Sequence, residues 1–148
     1  MALSAGVEPL SSELYNNAAR EFALGQLIWP DTELVLVAWG FEPVFNPAHA
    51  TIADLRTATG LTELGISLPI TDSSVAVDGT CQTNQVVIPN IPIGPDVTWF
   101  TLCRARATIE LAELILFVDE AIELPFVPNG LDLVIQPDWT LNRGWFRP

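Results

Sequence analysis

Glu33-Leu34-Val35-Leu36-Val37-Ala38-Trp39 is the stretch that decides the fold. After Glu33 the run is uniformly apolar and in part β-branched. It is too short for a buried helix and is predicted to be a central strand covered on both faces. A strand of that kind needs a layer on each side, so the rest of the chain must supply two apolar coverings.

Upstream, residues Leu10 to Leu24 carry a helical period. Leu10, Leu14, Ala18 and Phe22 recur every fourth position, and Tyr15 and Ala19 widen the stripe. Ser11 or Ser12 is the expected N-cap, Glu13 suits the first turn, and Gly25 is placed to end the helix in a left-handed turn. Residues 1–9 precede the cap without any period and are predicted to form a flexible N-terminal arm. Residues 10–148 are then a single β-rich domain with an N-terminal helix.

Downstream, Thr51 to Ala58 is expected as a short helix capped by Thr51 and closed by Gly60. Short strands are expected at Gly65 to Ile70, Ser74 to Val77, Asn84 to Ile88, Val97 to Arg104, Leu111 to Asp119 and Leu131 to Gln136. Asp78-Gly79 and Asn129-Gly130 are turn signals. Along Val97 to Arg104 the alternation puts Val97, Trp99, Thr101 and Cys103 on one face and Phe100 and Leu102 on the other. Trp99 and Phe100 therefore need separate coverings, from the helix or from another chain. Prolines punctuate almost all of these runs. The fold class predicted is mainly β with one N-terminal α-helix, as a β-sandwich or a partly closed barrel.

Apolar residues make up 49% of the 148 residues and charged residues 16%. Mean hydropathy is +0.35, yet no uninterrupted apolar run approaches the about 18 residues that suggest a membrane span. The excess is most simply assigned to contacts with other chains. Eighteen acidic residues against six Arg and no Lys give a net charge of -12. That charge argues against nucleic-acid binding and against attachment to anionic membranes. Residues 1–6 lack the basic and apolar regions of a secretory signal, so synthesis in a cytoplasm is expected.

Chemistry-bearing groups are sparse. His49 is the one histidine, and no nucleophile elbow or second titratable group accompanies it, so no catalytic residue is expected. Two cysteines, Cys81 and Cys103, do not make a zinc signature and read as buried thiols rather than a bridge. Asp72 and Asp78 flank a turn without calcium-loop spacing. Asp119, Glu120 and Glu123 form a carboxylate set that a solvated turn explains. No metal and no cofactor is expected.

The five tryptophans are Trp29, Trp39, Trp99, Trp139 and Trp145. Arg143-Gly144-Trp145-Phe146-Arg147-Pro148 combines aromatic and Arg residues of the kind that anchor interfaces. Trp145, Phe146 and Arg147, with Ala2, Leu3 and Val7 of the arm, are the candidate partner contacts. A last strand completing the sheet is the competing account of the C-terminal residues.

Several of these pieces also occur together in one family. Leu14-Tyr15-Asn16-Asn17-Ala18-Ala19-Arg20-Glu21-Phe22-Ala23-Leu24-Gly25-Gln26-Leu27-Ile28-Trp29, followed by Leu34-Val35-Leu36-Val37, resembles the opening of small tailed-bacteriophage virion proteins. Those begin with Leu-Tyr-x-x-Ala-Arg-x-x-Phe, a Gly, a Trp and an apolar strand. The apolar strand ending at Asp119, Leu124-Pro125-Phe126-Val127-Pro128-Asn129-Gly130-Leu131-Asp132 and an aromatic last strand follow in the family's order. The similarity runs through nearly the whole chain, more loosely from Phe41 to Asp96. It implies a β-rich virion structural protein without site residues, most often a capsid decoration or cement protein. By the same resemblance it would bind the major capsid protein on the virion surface and assemble as a homotrimer, or alternatively a dimer. A tail, neck or baseplate component is the alternative within the particle. A β-barrel for a small apolar ligand is the alternative of another class, and it requires a pocket lined by the tryptophans.

Overall fold

The computed structural model describes residues 2–5, 12–75, 80–119, 124–137 and 145. In chain order the elements are β1 (Ala2–Ala5), β2 (Ser12–Leu14), α1 (Asn16–Ala23), β3 (Leu34–Gly40), α2 (Ile52–Thr59), β4 (Gly65–Ile66), β5 (Ser74–Val75), β6 (Cys81–Gln82), β7 (Val86–Ile88), β8 (Val97–Arg104), β9 (Glu113–Val118) and β10 (Leu133–Pro137). Single 3-10 turns at Trp29–Asp31 and Ile109–Leu111 precede β3 and β9.

An antiparallel sheet in the order β2-β9-β8-β3-β4 forms the centre. Two smaller sheets accompany it, β1-β10-β7 and β5-β6. The protein is thus mainly β, with two helices rather than one and with no closed barrel among the described residues.

β3 behaves as its composition predicts. All seven residues are buried. Leu34, Leu36 and Ala38 face one apolar cluster, and Val35, Val37 and Trp39 face the other. The first cluster is completed by Val86 and Ile88 of β7, Leu133 and Ile135 of β10, Ala18 of α1 and Trp29. The second is closed by Ile52 and Leu55 of α2, by Tyr15, and by the partly buried Phe45. Both coverings come from this chain. Trp99 meets the α2 side and Phe100 the small-sheet side.

One residue of β8 departs from simple alternation. Trp39 pairs with Trp99 but Gly40 pairs with Val97, leaving Thr98 as an extra residue. This bulge turns Val97 to the first cluster, away from Trp99. A second irregularity, between Leu102 and Cys103, does the same to Ile115 of β9.

The helix predicted from Leu10 to Leu24 begins later. Ser12, Glu13 and Leu14 pair with Val118, Phe117 and Leu116 as a strand, and Tyr15 N donates to Ile115 O at 3.0 Å. The exposed edge of β9 requires partners for its backbone groups, and this segment supplies them. Tyr15 occupies the N-cap position without a side-chain cap, so Ser12 is not the N-cap. Leu10 and Ser11 lie outside the described residues. The helix ends as expected, with Gly25 at φ 70° and its N–H donating to Phe22 O.

α2 follows its signals closely. Thr51 Oγ1 accepts from Asp54 N and Asp54 Oδ2 accepts from Thr51 N, at 3.3 and 3.2 Å, and Gly60 at φ 70° closes it.

The predicted strand Gly65 to Ile70 is mostly irregular. Only Gly65–Ile66 is strand, and the Ser67 hydroxyl takes over as acceptor for Leu36 N at 2.9 Å. β5 and β6 pair across the Asp78-Gly79 turn signal, whose own residues lie outside the described set.

Candidate functional site

His49, the sole histidine, lies between β3 and α2. His49 N donates to Asn46 O at 3.0 Å, and its Nδ1 is buried without a hydrogen-bond partner among the described residues. Along the same edge of β9 stands Tyr15, whose hydroxyl is also buried and has no partner among the described residues. The two segments are tied where Asn16 N meets Pro47 O at 2.9 Å and Leu114 N meets Ala50 O at 2.9 Å. Tyr15 packs on Phe45 with ring centroids 5.2 Å apart. Burial, with a smaller contribution from Cys103, pushes its phenol far above the ordinary tyrosine range. A phenol that neither ionises nor donates is a packing group. Tyr15→Phe is therefore expected to be neutral or stabilising by about 1 kcal/mol, because it removes an unpaired buried hydroxyl while keeping the ring. Urea unfolding checks this, and a clear loss of stability would reveal a partner for the hydroxyl.

Cys81 and Cys103 are free and buried. They belong to opposite clusters, one on each side of the sheet, which keeps them from bridging. Burial pushes both thiols up to about 12. For Cys103, the hydrogen bond to Thr101 opposes the shift and the charge of Glu63 adds to it. Because both folded values exceed the unfolded one, the neutral thiols support folding fully below about pH 8.5. Stability is expected to fall as pH rises from there towards 12, and Ser replacements should flatten that decline. Native protein should also resist a thiol reagent at neutral pH and react only on unfolding. Rapid labelling of the folded chain would contradict the buried placement.

Among the described residues the carboxylates form no centre. Asp72 is exposed and Oδ1 accepts from Asn84 N at 3.4 Å. Asp119 is exposed, and Asp78, Glu120 and Glu123 lie outside the described residues. Among the described residues no three metal-ligating side chains gather.

Trp29, Trp39, Trp99 and Trp145 are core residues, at most 2% exposed, and Trp139 lies outside the described residues. Trp39 stacks on Trp99 at 5.2 Å and 17°. An open cleft of about 250 Å³ runs between Glu33–Val35 and Ala105–Ala112. A second, of about 520 Å³, lies by Thr51 and Arg106. Neither is lined by tryptophan, so these clefts lack the aromatic lining that an apolar-ligand barrel requires.

Of the candidate contact residues, Ala2, Leu3 and Trp145 are described. Ala2 and Leu3 lie in β1, parallel to β10 and opposite Val134 and Ile135. Part of the expected free arm is thus paired backbone. Trp145 is fully buried, its N donating to Cys81 O at 2.7 Å and its Nε1 to Thr83 Oγ1 at 2.8 Å. Its indole therefore completes the core of this chain and has no surface left for a partner. Val7, Phe146 and Arg147 lie outside the described residues.

The loops that carry a different set of exposed apolar residues meet at one end of the central sheet. β3 ends there at Gly40 and β8 begins there at Val97. Three loops converge. Thr98 Oγ1 donates to Phe41 O, Val97 and Phe126 exchange hydrogen bonds at 2.8 Å, and Gly130 N donates to Ile91 O at 3.0 Å. Gly40 lets the first two loops approach, since a Cβ there would stand 2.9 Å from Leu64 Cδ1 and 3.0 Å from Asp96 O. Phe41, Ile93, Val127 and Leu131 are 61, 81, 67 and 65% exposed. The proline-rich composition marks these segments as loops. That their large side chains face outward is a tertiary property, which sequence reasoning missed.

Among the described residues no helix is long and apolar enough to cross a membrane. Comparison of the chain with protein-family profiles, with curated proteins and with solved structures gave no match.

Proposed function

We propose that this chain is a structural protein of a tailed-bacteriophage virion, a decoration or cement protein that binds between major capsid subunits and stabilises the mature shell. The observation that carries the reading is the end surface formed by Phe41, Ile93, Val127 and Leu131, large apolar side chains that the fold leaves outside a core already closed on both faces. The family resemblance of the helix, apolar strand and Pro-Asn-Gly segments supplies the kind of assembly. In this reading the small sheets are the second layer of a sandwich, the protein is made in the host cytoplasm, and a homotrimer or dimer is the unit that docks.

The physical effect is linkage. A protein that binds only the assembled lattice lowers its free energy by mass action, and many copies on a symmetric shell multiply a modest affinity. The role requires no catalytic residue, metal or cofactor.

Particles produced without the chain test this. They are expected to release their genome at a lower temperature than complete particles, and adding purified chain should restore the difference. An unchanged release temperature, or no recovery on adding the chain back, would defeat the reading.

A further inference from the structure

The apolar end of the molecule is also an acidic end. Its three loops, residues 41–45, 89–96 and 124–132, carry Glu42, Asp96 and Asp132 and contain no Lys or Arg. All three acids are exposed. Asp132 Oδ1 accepts from Asn90 N at 3.0 Å, which ties its carboxylate to the second loop. Among the described residues the cations lie elsewhere, Arg20 in α1 and the others in ion pairs. Arg104 and Arg106, at and just beyond the far end of β8, pair with Glu21 and Glu113, and Arg56 pairs with Glu63 and Glu110.

The backbone of this end is fixed in unusual turns. Phe41 at φ 64° and Asn90 at φ 49° are the positive-φ non-glycine residues among those described, and Gly130 at φ 81° gives the third loop its own left-handed turn. Such conformations persist where surrounding structure enforces them, and they concentrate at binding sites. Here the strained position presents a mostly exposed aromatic ring. An aromatic among exposed aliphatics within a charged rim is the anatomy of a docking surface.

Charge selects the occupant. A second copy meeting this face with its own face would set Glu42, Asp96 and Asp132 against like charges, on a chain of net charge -12. A surface with Lys and Arg around an apolar centre gains attraction at long range and pairing on contact. We propose that this end docks onto another protein, one that presents an apolar centre ringed by basic side chains. The proposal rests on the virion reading, in which that protein is the major capsid protein.

Co-sedimentation of the purified chain with shells lacking it tests the face. Wild-type chain is expected to bind less as salt rises. Ile93→Ser/Val127→Ser should bind about tenfold more weakly or worse. Glu42→Gln/Asp96→Asn/Asp132→Asn should bind more weakly and with a shallower salt dependence. Circular dichroism confirms that the variants fold, as expected for exposed positions. Wild-type binding that both variants retain would overturn the docking face and leave the virion reading intact. Failure of the wild-type chain to bind defeats both. Tighter shell binding by the neutralised variant would overturn the basic rim of the partner, and a solution oligomer that the serine variant dissolves would show like faces meeting and overturn the choice of partner.

Discussion

Replacing Trp99 by Ala is expected to cost about 3–5 kcal/mol of folding stability, a large part of what a domain of this size possesses. Trp99 is fully buried on the α2 side of the central sheet. It stacks on Trp39 and lies 5.6 Å from Phe117 by ring centroids. Its Nε1 donates to Gly40 O at 3.0 Å, next to the bulge that ends the β3–β8 pairing. Alanine removes the largest part of one covering layer and leaves that carbonyl without its donor. Phe at the same position keeps much of the packing and should lose less. The midpoint of urea unfolding, followed by circular dichroism, measures both. A Trp99→Ala midpoint close to wild type would mean that the second face of the sheet is not closed by this cluster.

Trp145→Ala is expected to destabilise to a similar extent, about 3–5 kcal/mol. The indole is fully buried in the first cluster and spans to Thr83, while its backbone N–H is bound by Cys81 O. Trp145→Phe should recover most of the loss but not the hydrogen bond to Thr83, about 1 kcal/mol. The split between stability and binding gives this position its interest. A core residue changes the fraction folded and leaves shell binding of the folded protein unchanged. A contact residue does the reverse. Normal stability with lost binding in Trp145→Ala would therefore contradict the buried placement and restore Trp145 as a partner contact.

Features held by local chemistry were legible in the sequence. The apolar run 34–39 needed only its composition to be read as a strand covered twice. Val97 to Arg104 was bounded to the residue, and the Thr51 cap and the Gly25 and Gly60 stops depend on neighbours within a few positions. Tertiary demands were not legible. Leu14, Ala18 and Phe22 share a four-residue spacing and do pack against one cluster, but Leu14 reaches it from a strand because β9 needed an edge partner. The bulge at Thr98 turned Val97 to the other face, and no period records an extra residue. The candidate contacts chosen from composition included Trp145, which the fold buries. Phe41, Ile93, Val127 and Leu131 carry no local mark that separates an exposed apolar side chain from a core one, and only the converging loops reveal them.

The central claim is that this chain belongs to a shell. Quantitative mass spectrometry of purified virions measures it most directly, as the number of copies of this chain per major capsid protein. The account predicts a stoichiometry near that of the capsid protein. A few copies to a few tens per particle would move the chain to the tail, neck or baseplate, and its absence from the particle would contradict the account outright.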